Sequence, residues 1–203
     1  MNNPSISDIV SALEREVRRE LNDRLPRRVG VIAVNHFNQN FRDAGWRDNG
    51  LHPWKETRRQ REGTGADAGR TPLISSAPHL SRSIQAEPSP GQVRITNPVP
   101  YAAIHNYGGT INTQPAVTPK MRKFAWAKFY SISGIKKGDK IPKDLPDEAL
   151  KWRALALTKK AKLSITADIP QRQFIGDSAE LKQKIDQVIT QTIQNLSQRH
   201  IRS

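Results

Sequence analysis

The sequence predicts an α+β fold: N-terminal helices, a small antiparallel sheet with long loops, a basic inserted lobe and a C-terminal helix. Three observations predict it. Stripes at helical spacing mark both ends, through Ile6, Ile9, Val10, Leu13, Val17, Leu21 and Leu25 and again through Leu181, Ile185, Val188, Ile189, Thr192 and Leu196. Between them the chain is rich in glycine and proline, and Val93-Arg94-Ile95-Thr96 alternates with the period of a strand. The third observation is where the charge sits.

The chain has 203 residues and a formal net charge of +14. Residues 1–114 hold 15 basic and 11 acidic side chains, residues 115–163 hold 13 and 4, and residues 164–203 hold 5 and 4. Most of the excess therefore lies in one stretch. We read a single domain over residues 1–203 with 115–163 as a basic insertion.

Each element follows from its residues. Ser5 and Asp8 have the spacing of a capping pair at the start of the first helix. Leu13 and Val17 are expected to face the core. Pro26 lacks the donor that a helix interior needs, so it either kinks this helix or opens a second one, continued by Val29, Ile32, Ala33, Phe37 and Phe41. Two consecutive helices to about residue 42 are expected. From Asp43 to Pro90 the chain reads as loop, with Leu80–Ile84 as a short strand. Tyr101–Tyr107 fits two helical turns ended by Gly108 and Gly109, and Thr110–Thr113 reads as extended. Residues 119–130 are too mixed to assign. Trp152–Leu157 and Leu163–Thr166 are expected to be strands returning to the domain. Asp177 and Glu180 have capping-box spacing before the last helix.

Several chemistries find no support. There is no cysteine, which excludes disulfides and thiol catalysis, and no apolar run approaches the length of a membrane span. Met1-Asn2-Asn3-Pro4 does not read as a signal region. We therefore expect a soluble chain made inside the cell, with no membrane partner. The histidines His36, His52, His79, His105 and His200 form no HExxH pattern and no ligand-spaced set, so no metal is expected. No G-x-S-x-G elbow is present, and Gly63-Thr64-Gly65 and Gly108-Gly109 lack the lysine of a phosphate loop. No cofactor and no enzymatic activity are expected.

The basic stretch has three readings. Lys120, Arg122, Lys123, Lys128, Lys136 and Lys137 are interleaved with Phe124, Trp126, Phe129 and Trp152, a mixture that neutralises phosphates and stacks bases. The same residues also make a solvated lobe with a small satellite core, or a surface that docks on an acidic protein.

Four segments carry a resemblance. Pro53-Trp54-Lys55-Glu56-Thr57 follows the N-terminal helices; Leu73-Ile74-Ser75-Ser76-Ala77-Pro78-His79-Leu80 leads to Ser83-Ile84. Tyr101-Ala102, His105 and Gly108 come next, and Ile169-Pro170-Gln171-Arg172-Gln173-Phe174-Ile175-Gly176 precedes the last helix. In this order the chain resembles the Mu-like phage virion morphogenesis family, also called tail completion proteins. The resemblance implies an α+β structural protein of a tailed bacteriophage or prophage, acting in tail completion or head–tail joining. It implies a ring of identical subunits, six being the expected number, at the neck or head-proximal tail end. Neck, connector or tail-tube proteins would be its partners, the virion its location and the host cytoplasm its place of assembly. DNA binding through the lobe is the alternative function. Trp54, Tyr101, His105, Gly108, Arg172 and Phe174 are the candidate assembly or fold-anchor residues, with fold support the favoured role.

Overall fold

The computed structural model describes residues 5–63 and 68–201, the side chains of His200 and Ile201 excepted. Residues 1–4, and Thr64 and Gly65 of the glycine cluster, lie outside the described residues, as does the His200 side chain. The chain is α+β, with eight α-helices and three two-stranded sheets among the described residues. It divides into two compact units, one built from residues up to Gly109 and from Ile169 onward, the other from Thr110–Asp168. The second unit encloses the basic stretch 115–163.

In the first unit, α1 (Ile6–Arg19) begins at Ser5, whose side chain and that of Asp8 cap reciprocally as the spacing predicts. A π-helical turn, Glu20–Arg24, joins it to α2 (Leu25–Arg42), in which Pro26 lies in the first turn. Both alternatives read for Pro26 are thus partly realised. The helix runs on, but the residue without a donor sits just past a change of hydrogen-bond spacing.

The inward reading of α1 fails. No residue of α1 is buried; Leu13 and Val17 are half-buried, while Ile6, Ile9 and Val10 are 82%, 54% and 56% exposed. Its stripe is real, but the core of this unit is filled by α2 instead. Phe37 and Phe41 of α2 pack with Trp46, Trp54, Leu80, Ile84, Ala102, Phe174 and Leu181. Gly30 lets α2 approach closely, because a Cβ there would lie 2.9 Å from that of Ala86.

Two hairpins occupy the stretch read as loop. β1 (Gly45–Arg47) pairs antiparallel with β2 (Leu51–Pro53), Trp46 opposite His52, around Asp48-Asn49-Gly50. A short helix, α3 (Arg58–Glu62), follows, capped by Thr57. Leu80–Ile84 is not a strand: α4 (His79–Arg82) is a single helical turn, its Pro78 carbonyl accepting from the Arg82 amide and the Ser81 hydroxyl. β3 (Gln85–Ser89) pairs with β4 (Gln92–Thr96), the strand that alternation marks. α5 (Ala102–Tyr107) ends at Gly108 as expected. The last helix, α8 (Ala179–Ile201), is capped by Ser178 and not by Asp177. The Ser178 hydroxyl accepts from the Leu181 amide, and Asp48 accepts from Ala179.

The second unit is a helical hairpin on a two-stranded stem. β5 (Gly109–Thr113) pairs with β6 (Ile165–Ile169); Thr110 donates to Asp168 and Thr166 to Asn112. β6 thus starts two residues later than the expected strand. α6 (Pro119–Ser133) covers the unassigned stretch and packs on α7 (Asp147–Leu157). Trp152–Leu157 is therefore helical. Ala149 and Ala156, two turns apart on α7, are buried together with Ala125 and Phe129 of α6, a spacing that a strand cannot put on one face.

Candidate functional site

Three of the four segments behind the resemblance gather around the fourth, residues 169–176. Trp54 donates its indole N–H to the Gln173 carbonyl at 2.9 Å and meets Phe41 edge-on. Phe174 is buried against Phe41, with ring centroids 5.0 Å apart. The Arg172 amide donates to the His105 carbonyl at 2.8 Å, and its guanidinium donates through Nε and Nη2 to the Lys55 carbonyl at 3.2 and 2.9 Å. Gly108 has φ +72°, and a Cβ there would lie 2.8 Å from the Gln171 nitrogen, so glycine is required twice over. Five of the six anchor candidates thus lie in this segment or touch it directly, and Tyr101 sits edge-on to His105 at 5.9 Å.

Two residues that sequence reasoning missed complete the arrangement. Asn106 accepts from the Phe174 and Ile175 amides at 2.8 and 3.0 Å and donates to the Ile175 carbonyl at 3.0 Å. Asn40 donates to the Phe174 carbonyl at 3.2 Å and accepts from the Arg47 amide. Both are buried. The one signal for Asn40 in the sequence is a polar residue placed between Phe37 and Phe41, beside the apolar stripe of α2.

A cleft of about 340 Å³ opens beside these anchors, lined on one side by Tyr101, His105 and Arg172. Its other wall comes from Thr57, Arg59 and the segment from Leu73 to Leu80. Arg59 is held by the carbonyls of Arg70, Thr71 and Ile74. Burial, and then the Arg172 cation, lower the His105 pKa, which favours the neutral ring. Burial also lowers that of Arg172. No carboxylate lines the cleft among the described residues.

In the second unit the six basic candidates separate by role. Arg122 donates to the carbonyls of Ala156 and Thr158, closing the C-terminal end of α7, so it is a fold residue. Lys128 lies over the Phe124 ring at 5.8 Å, and Phe124 meets Trp152 edge-on. Lys120, Lys123, Lys136 and Lys137 are exposed. Trp126 stacks on Tyr130 and both meet Phe129 edge-on, with Phe129 fully buried, which makes them the satellite core; Phe124 remains 53% exposed.

Among the described residues no group of histidines and carboxylates is placed to hold a metal ion, and no helix is long and apolar enough to cross a membrane. The geometry is that of a protein whose motif residues brace a fold. The profile of the phage virion morphogenesis family matches residues 2–194. The chain belongs to that family, and its role lies in building a phage virion. No curated protein and no solved structure matches it.

Proposed function

We propose that the protein is a non-catalytic structural subunit that acts in tail completion or head–tail joining. It works as a ring of identical subunits, six in number, at the neck or the head-proximal tail end, against connector or tail-tube proteins. The observation that carries this reading is the uncovered stripe of α1. Ile6, Ile9 and Val10 expose an apolar helix face that a lone chain has no reason to keep. A neighbouring subunit gives that face a use. The motif residues support the same reading, because they brace one rigid body rather than present reactive groups to a substrate.

Complementation of a phage deleted for this gene tests it, with imaging of the particles. Heads and tails should accumulate unjoined, or tails should be unstable. Normal joined virions from the complete deletion would refute the assembly role.

A second reading rests on Phe124, half-exposed beneath Lys128 in a unit rich in lysine: nucleic-acid binding by the lobe. Neutralising Lys120, Lys123 and Lys128 together should then lower the salt slope of DNA binding by about 0.9 for each phosphate no longer neutralised. An unchanged slope removes this reading.

A further inference from the structure

We propose that the cleft beside Arg172 is a receptor for a carboxylate on an aliphatic stem, a glutamate side chain of another virion protein. The identity of that partner as a virion protein rests on the assembly role above; the ligand chemistry rests on the cleft itself.

Arg172 is the first argument. The residue is only 7% exposed, yet among the described residues no carboxylate pairs with it. Nε and Nη2 both donate to the Lys55 carbonyl, which uses the side edge of the guanidinium. Its end edge, formed by Nη1 and the second Nη2 hydrogen, has no acceptor among the described residues. Two parallel N–H groups at that edge match the two oxygens of a carboxylate. A buried cation held by one neutral carbonyl is also a charge awaiting its counter-charge.

The neighbouring groups are donors as well. His105 Nδ1 is buried without a hydrogen-bond partner, so the tautomer that leaves no orphaned donor inside carries its hydrogen on Nε2. Nε2 is then the donor that His105, one of the lining residues of the cleft, has to offer a ligand. The Tyr101 hydroxyl belongs to a residue 45% exposed on the same rim and has no partner among the described residues. An anion meets donors here and no competing acid.

The opposite wall selects among anions. Leu73, Ile74, Ala77 and Leu80 are apolar, and Leu73 is held at φ +63°, a backbone conformation that a branched residue adopts rarely. Thr57, Arg59, Ser75 and His79 line that wall too, but its four apolar side chains suit methylenes behind the carboxylate, contacts that a bare phosphate has no stem to make. A second copy of this chain is a poor donor of the ligand. The chain carries +14, and six of its eight glutamates are already engaged by arginines or, for Glu87, by Thr96. The partner is therefore a different and more acidic protein.

Butyrate, a glutamate side chain with its Cα kept as a methyl group, is the probe. It is titrated into the full chain at constant ionic strength while NMR follows the Arg172 Nε–H and the His105 ring protons. Both should shift saturably, and the His105 midpoint should rise as butyrate is added, since a bound carboxylate opposes the charge of Arg172. Inorganic phosphate should bind at least tenfold more weakly. Arg172→Gln should weaken butyrate at least tenfold. Tyr101→Phe, on the rim and away from the fold contacts of Arg172, should weaken it a few-fold and serves if the first variant does not fold. No saturable shift, or an equal response to phosphate, overturns the proposal while leaving the assembly role intact. Dissociation of a homo-oligomer by butyrate would overturn the assignment to a different protein, because the occupant would then be a second copy.

Discussion

The amide oxygen of Asn106 accepts the backbone N–H of Phe174 at 2.8 Å, and this one bond ties the helix before Gly108 to the segment before the last helix. With its bonds to Ile175, the Asn106 side chain imitates a strand partner inside the core. Asn106→Ala should orphan the buried Phe174 amide and the half-buried amide and carbonyl of Ile175. The expected cost is about 2 to 3 kcal/mol, a fall in melting temperature of roughly 4 to 12 °C for a chain of this size. Thermal melts of the purified variant check it. A loss below about 0.5 kcal/mol would mean that water replaces the amide without penalty.

The stripe of α1 should be silent for the stability of the single subunit. Ile9→Asp and Val10→Asp are each expected to change it by no more than about 0.5 kcal/mol, because both side chains are already exposed. Self-association should fall in the same variants. Chemical denaturation and sedimentation, measured side by side, separate the two effects. A large loss of stability would place the stripe inside the fold after all.

Proteolysis should begin between α6 and α7. Residues 134–146 join the two helices, and Lys136, Lys137 and Lys140 within them are exposed. The helices themselves are protected by Ala125, Phe129, Ala149 and Ala156. Limited trypsin digestion followed by mass spectrometry should find the first cuts there. Early removal of α8 would contradict the expected order.

Stability should decline as the pH falls below about 6.5. His36 is buried, and burial first, then Lys184, lower its pKa; the Arg47 charge adds to this, while Glu180 and the Arg47 backbone oppose it. The unfolded chain takes up a proton near the ordinary histidine pKa and the folded chain only at lower pH. The contribution of the neutral ring is thus complete above the unfolded pKa and is lost on acidification. His105 shifts in the same direction. Each histidine can contribute at most about 1.4 kcal/mol per pH unit. Denaturation curves at three pH values spanning the ordinary histidine pKa check it, with His105→Gln removing one share; stability that is flat or rising on acidification would refute it.

The helical ends, the fold class and the turn at Gly108 were legible in the sequence because each depends on local spacing. The hairpin of β1 and β2 was not, although Asn49-Gly50 carries the turn signal, because three-residue strands show no alternation. Trp152–Leu157 misled because a short apolar run serves a buried helix as well as a strand. Asn40 and Asn106 were invisible for a deeper reason. A helical asparagine reads as surface unless the distant amides it serves are known, and those of Phe174 and Ile175 are far away in sequence. The cleft shares that origin, since Arg172 and Leu73 meet only in the fold.

The stem of the basic unit has a consequence for how such a protein diversifies. Thr110 and Asp168 are bonded to each other at 2.6 Å, so the chain departs and returns at neighbouring points. Lengthening an excursion whose ends already touch costs only about 0.6 kcal/mol for each doubling. Natural selection can therefore enlarge, recharge or discard the helical hairpin without renegotiating the core, and a lineage can vary that surface while inheriting the same braced body.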